Sequence, residues 1–235
     1  MFYNYILPLI ISIVAAIAFV IVFTIINKNA DENKKMIPIK WIFWLLIITE
    51  VFKIFYLIHQ NGYYDTTRYP LVFCSAVMYT YPLFCFKKNK MSNVAMAYSV
   101  IPSFIVYILF AATQNNYRMS LIQGHSYFYH GAMLAVALYL ITSGLYKFKF
   151  KDFFGLSLCL SGYIMFATIL SIFVGSNISI FGPASSYLGF LYNMFGYVVG
   201  NILLCVVVFV VCFTFYGIIH LCQKAKKNPV AKEEQ

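Results

Sequence analysis

The residue types in this sequence that suit covalent chemistry are a thiol, Cys74, and an imidazole, His130. Cys74 follows Pro70 by four residues and His130 follows His125 by five. If apolar helices begin at Pro70 and His125, both groups lie at similar depth, about 6 Å and about 8 Å inside the same membrane face. An imidazole that accepts the thiol proton leaves a thiolate able to attack a carbonyl, and the ester carbonyls of a phospholipid lie near that depth. Each residue also has a plainer reading. Cys74 is one of six cysteines, mostly in apolar runs, where a thiol serves as a small hydrophobe; His130 could hydrogen-bond a neighbouring helix and do nothing more.

Further polar groups sort by depth. Glu50 lies ten residues beyond Lys40, about 15 Å along a helix and so near the bilayer midplane. Lys53 is three residues further, on the same helix face, where the two can neutralise each other as a structural ion pair or line a proton or solute path. Asn177, Asn193, Asn201 and His59 fall toward the same outer side as Cys74 and His130, whereas the inner half holds lysines and the Trp41 and Trp44 anchors. This asymmetry predicts a polar cavity opening outward, with an amide N–H of Asn177 or Asn193 as the oxyanion donor that acyl chemistry needs. His125 at a span boundary and His220 near an inner end carry little signal.

The elements that must hold these groups are apolar helices. Of 235 residues 62% are hydrophobic and 10% charged, with a mean hydropathy of +0.80, against about 45–50% apolar and about 25% charged in soluble domains. A soluble globule is excluded. Apolar runs near residues 5–26, 40–59, 70–86, 92–113, 125–146, 153–174 and 191–222 predict an all-α, polytopic bundle of seven transmembrane helices. They are continuous and too long for barrel strands, and the first lacks the basic lead and short core of a signal peptide. Fourteen lysines fall in the first, third and fifth loops and the tail, against Arg68 and Arg118 on the other side. That bias puts the N-terminus outside and the C-terminus in the cytoplasm. Residues 1–222 form the membrane domain; residues 223–235 read as a polar, basic, disordered cytoplasmic tail near anionic headgroups. Gly131 with Ala135, and Gly196 with Gly200, are small-residue pairs suited to close helix packing within the bundle, and Pro102 should kink the fourth span.

Several function classes drop out. The net charge of +10 resides in loops flanking apolar runs, so it reports topology and no nucleic-acid partner. There is no phosphate-binding glycine loop, no metal-ligand spacing and no paired catalytic carboxylates, so neither a cofactor nor a metal is expected. The Asn177-Ile178-Ser179 sequon lies too close to the membrane to matter. Abundant Lys, Asn, Ile, Tyr and Phe suggest an AT-rich genome and a multi-pass protein of a bacterial plasma membrane.

Short segments carry a resemblance as well. Tyr69-Pro70-Leu71-Val72-Phe73-Cys74-Ser75 resembles the L-P-L-H-L-C-S segment of YwaF-like bacterial integral membrane proteins. Glu50 and Lys53 resemble that family's E-x-x-K, His130-Gly131 its H-G, and Gly175, Asn177 and Pro183 its G-x-N followed by a proline. The resemblance implies a seven-helix or similar bundle related to eukaryotic transmembrane cysteine acyltransferases, which move acyl chains between ether phospholipids and lysolipids, and more distantly to threonine–histidine hydrolases of fatty-acid esters. Carried over by position, Cys74 is the nucleophile and His130 the general base. The sequence departs from the pattern at Val72, where a histidine is usual.

Two functions are therefore expected to compete. One is a lipid acyltransferase or lipid-ester hydrolase acting on membrane lipids, with a phospholipid or lysolipid as substrate. The other is a small-solute transporter or membrane substrate-binding component with a cavity lined by Glu50 and Lys53. A third possibility is an assembly protein whose polar groups merely pair across helices.

Overall fold

The structure is a computed structural model that describes residues 3–62, 75, 77–86, 90–113, 120–174 and 189–227. Cys74, Val72 and Asn177 lie outside the described residues, as do residues 228–235. Among the described residues there are seven helices and no strand: α1 (Tyr3–Ile26), α2 (Glu32–Asn61), α3 (Val77–Cys85), α4 (Lys90–Thr113), α5 (Leu121–Thr142), α6 (Phe150–Val174) and α7 (Gly189–Lys227). They fall into two compact units, residues 1–147 with α1 to α5 and residues 148–235 with α6 and α7.

Among the described residues the number of helices agrees with the hydropathy reading, and five of them, α1, α2, α4, α6 and α7, contain described stretches long and apolar enough to cross a membrane. Two expected spans depart from this pattern. Helix α3 has nine described residues. Helix α5 is long enough, yet it carries Gln123, His125, Ser126 and His130 in its first half. Its position explains that tolerance. Helices α1, α2 and α4 all pack on α5, and Tyr129, Met133, Val136, Ala137, Tyr139 and Leu140 of α5 are buried. A helix sheltered by protein need not be apolar all round.

Within a bilayer, lipid tails are as apolar as leucine, so close approach and interhelical hydrogen bonds hold helices together. Both devices operate in the first unit. Gly131 lets α1 come so near that an added Cβ would stand 3.1 Å from the Ser12 Cβ, and Ala135 packs with Ala16 in the same seam. The Ser12 and Tyr107 hydroxyls meet at 2.6 Å, tying α1 to α4, and Asn27 donates to Tyr139 Oη at 3.2 Å. Helix ends are capped by side chains. Asp31 accepts from the Lys34 amide at the start of α2, and a Ser120–Gln123 capping box opens α5. The Lys35 ammonium donates to the Ser143 carbonyl, 3.0 Å away, at the end of α5.

These contacts also fix directions. Ser12 and Asn27 of α1 meet Gly131 and Tyr139 of α5 in the same order, so α1 and α5 are parallel. Lys35 and Glu50 of α2 meet Ser143 and His125 in reverse order, so α2 runs antiparallel to α5.

In the second unit, α6 packs against α7, and the expected small-residue stripe of α7 has another role. Gly196 has φ 72° and ψ 172°, so the helix breaks there. That backbone region is essentially open to glycine alone. Beyond the break Gly200 faces Tyr192, whose Cδ1 would lie 3.0 Å from an added Cβ. The pair makes a kink and a seat for a ring, not a smooth packing stripe. Helix α7 then continues through Lys227, so the disorder expected from Gln223 onward does not begin there.

Candidate functional site

In the first unit, α2 and α5 bring three polar side chains together at one depth. Glu50 is 2% exposed and forms an ion pair with Lys53, one helical turn away. The other carboxylate oxygen of Glu50 lies 3.4 Å from His125 Nε2. The sequence reading expected Glu50 and Lys53 to pair but assigned His125 no role. Because α5 begins at Leu121, His125 stands one turn inside the helix, and the antiparallel register of α2 and α5 sets it opposite Glu50. A buried carboxylate that must find donors was the available signal. The helix pairing that brings His125 within 3.4 Å of it is not visible from the sequence.

His130 is nine residues into α5, about 13 Å from its start, because the helix begins four residues earlier than expected. Its Nδ1 lies 2.7 Å from the Ser126 carbonyl oxygen, one turn back. A carbonyl can only accept, so Nδ1 carries the hydrogen and Nε2 keeps its lone pair. The ring is fixed by stacking on Phe110 of α4, with centroids 4.2 Å apart and planes 15° from parallel. Phe110 is in turn set edge-on against Tyr127. His130 is therefore a positioned imidazole whose Nε2 is a hydrogen-bond acceptor. Its predicted partner Cys74 lies outside the described residues, although Ser75, the next residue, is buried.

The remaining predicted residues are placed as follows. In the second unit, the Asn201 carbonyl oxygen accepts from Thr168 at 2.9 Å and from Tyr192 at 3.1 Å, and its amide donates to the Tyr197 carbonyl. These bonds bridge α6 to α7 across the Gly196 break, which is a structural task. Asn193 and His59 are exposed.

The outward cavity of polar character was expected around Cys74 and Asn177, which lie outside the described residues. Among the described residues, helices α1, α2 and α5 line a groove of about 840 Å³, within the roughly 300–1,000 Å³ typical of ligand sites. Its walls are overwhelmingly apolar, with Leu7 and Ile11 from α1, Ile42 and Leu45 from α2, and Phe128 and Ala132 from α5. The polar cluster stands at one end. Gly124, the last lining residue on α5 in that direction, adjoins His125, and beyond Leu45 α2 leads to Glu50 and Lys53.

The fold and site together define a multi-pass helical membrane protein with an ionic cluster buried between two helices. The sequence profile of the TMEM164 family, a transmembrane family, matches residues 2–217, and the chain belongs to that family. No curated protein and no solved structure matches the chain.

Proposed function

We propose that this protein is a lipid acyltransferase or lipid-ester hydrolase of a bacterial plasma membrane, with Cys74 as nucleophile and His130 as general base. The observation that carries the proposal is the state of His130. The Ser126 carbonyl holds Nδ1–H, and the Phe110 ring holds the plane, so Nε2 is the nitrogen that accepts a proton. A general base needs that tautomer and a fixed orientation. In the proposed reaction Nε2 takes the Cys74 proton and the thiolate adds to a lipid ester carbonyl. The tetrahedral adduct expels the lysolipid alkoxide, which takes the proton back from His130. The resulting thioester passes its acyl group to a second lysolipid hydroxyl or to water, with His130 removing the proton of the incoming nucleophile, and the thiol is restored.

The proposal includes the orientation expected from the lysines, N-terminus outside and C-terminus in the cytoplasm. The parallel α1 and α5 and the antiparallel α2 support that alternation. The test is an acyl-exchange assay in vesicles containing the full-length protein, a labelled phospholipid and an unlabelled lysolipid. Cys74→Ala and His130→Ala should each abolish transfer of label; full activity in both variants overturns the mechanism.

A second reading, a small-solute transporter, draws support from the buried Glu50–Lys53–His125 cluster, since intramembrane ionisable groups often mark solute or proton paths. It predicts that Glu50→Gln stops uptake of a solute by cells while Cys74→Ala has no effect. The apolar walls of the groove favour the lipid reading.

A further inference from the structure

His125 is a titratable group to which the acyl-transfer reaction above gives no task, and its imidazole has two unlike edges. Nε2 is buried and faces a Glu50 carboxylate oxygen at 3.4 Å, without a formed hydrogen bond. The side chain is 12% exposed, so what is accessible of the ring lies away from Nε2. A carboxylate only accepts, so Nε2 carries its hydrogen toward Glu50 and Nδ1 keeps the lone pair. His125 thus has the tautomer opposite to that of His130, whose Nδ1 holds the hydrogen. Catalytic contacts of this kind are commonly loose at rest and tighten as charge develops on the ring.

The two imidazoles also differ in what stands behind them. His130 is held by the Ser126 carbonyl, a neutral acceptor, whereas His125 faces a carboxylate whose other oxygen pairs with Lys53. A proton taken up at Nδ1 of His125 creates an imidazolium whose Nε2–H points at a negative charge, an interaction stronger in the transition state than before it. The nucleophiles of the reaction differ in the same sense. A free thiol ionises near pH 8.5, but water only near about 15.7. Deprotonating a hydroxyl therefore demands the better-stabilised imidazolium.

Both imidazoles belong to one site. They contact the same buried ring, Tyr129, with centroids 5.5 Å from His125 and 6.1 Å from His130. Lys53 acts electrostatically on each of them, and His130 acts on His125. His125 lies 18 residues along α5 from Ser143, whose carbonyl Lys35 caps at the other end of the helix. That is about 27 Å, close to the far face of a hydrocarbon core of roughly 30 Å, where a lysolipid hydroxyl or a water enters. By the same measure Glu50, 15 residues beyond Lys35 on α2, lies about 22 Å from that end and past the midplane.

We infer that His125, backed by Glu50, is a second catalytic base that serves the acceptor half of the acyl transfer and takes over that deprotonation from His130. The inference rests on the Cys74–His130 reading for formation of the thioester. Nδ1 of His125 takes the proton of the lysolipid hydroxyl or water as its oxygen adds to the thioester carbonyl. The C–S bond then breaks, the new ester or the fatty acid departs, and the proton passes from His125 to the Cys74 thiolate. His130 is left with the thiol and the first leaving group.

The experiment uses full-length protein in vesicles holding a phospholipid labelled in its acyl chain and a lysolipid acceptor. Samples are quenched in acid, and the Cys74 peptide is analysed by mass spectrometry for bound acyl group. Wild type should form the thioester and pass it on. His125→Gln should still form it but pass it on about 100-fold more slowly, so that acyl-Cys74 accumulates. Glu50→Gln combined with Lys53→Met removes the carboxylate without stranding an ammonium, and should accumulate the thioester as well. His130→Ala should form none. Hydroxylamine, a nucleophile that needs no base, should discharge the thioester as fast in His125→Gln as in wild type. Transfer at the wild-type rate in His125→Gln overturns the inference and leaves the Cys74–His130 reading standing. Joint loss of thioester and transfer in that variant overturns it too, as does an accumulated thioester that hydroxylamine fails to discharge. Acyl exchange by wild type without acyl-Cys74 removes the covalent reading itself, and the inference with it.

Discussion

Replacing Glu50 by glutamine while keeping Lys53 isolates the energetic role of the buried cluster. Glu50 is 2% exposed and Lys53 18%, so the substitution leaves an ammonium inside the protein without its counter-charge, and His125 Nε2 loses the carboxylate 3.4 Å away. Breaking a buried ion pair by removing one partner costs about 3–5 kcal/mol, and a lysine at the centre of a membrane helix costs about 2.5–3.5 kcal/mol on insertion scales. The two ranges overlap at about 3 kcal/mol. For a protein of this size that is a fall of about 6–12 °C in melting temperature. The assay is thermal unfolding of the detergent-solubilised protein, followed by tryptophan fluorescence, for wild type, Glu50→Gln, Lys53→Met and the double variant. The double variant removes both charges, and buried pairs replaced by apolar groups are often neutral or better, so it should recover most of the loss. If Glu50→Gln melts with wild type, or the double variant is as unstable as the single, the pair is not coupled and the cluster has been misjudged.

Other substitutions probe the packing directly. Gly131→Val should destabilise by about 1–3 kcal/mol through overpacking against Ser12, whereas Gly162→Ala, with nothing within 4 Å of an added Cβ, should be neutral or slightly stabilising in the same melts. Gly196→Ala forces a side chain into φ 72°, ψ 172° and should cost about 1–3 kcal/mol; an unchanged melt would mean that α7 straightens without penalty. A double-mutant cycle on Ser12→Ala and Tyr107→Phe should return a coupling near the roughly 0.6 kcal/mol average for membrane hydrogen bonds, up to about 1.7 kcal/mol. A coupling of zero would show that the 2.6 Å contact contributes nothing.

Helix number and membrane character were legible because a span needs a long run of apolar residues, a one-dimensional property. The same logic missed the nature of α5. Hydropathy treats each span as facing lipid, but α5 is sheltered by three neighbours, so its polar first half is tolerated. Gly196 and Gly200 illustrate the limit of motif reading. Spacing alone suits close packing, and only the backbone dihedral reveals that Gly196 breaks the helix.

What the sequence by itself determined is local: the helices, their caps at Asp31 and Ser120, and the pairing of Glu50 with Lys53, all set by residues within one or two turns of each other. Tertiary structure decided which helices meet and in what register. That choice put His125 beside Glu50, turned His130 toward Phe110 and opened an apolar groove between α1, α2 and α5. The reason is geometric. A helix wheel gives the direction of a side chain about its own axis, but the neighbour it meets depends on packing between residues far apart in the chain, 75 positions for Glu50 and His125.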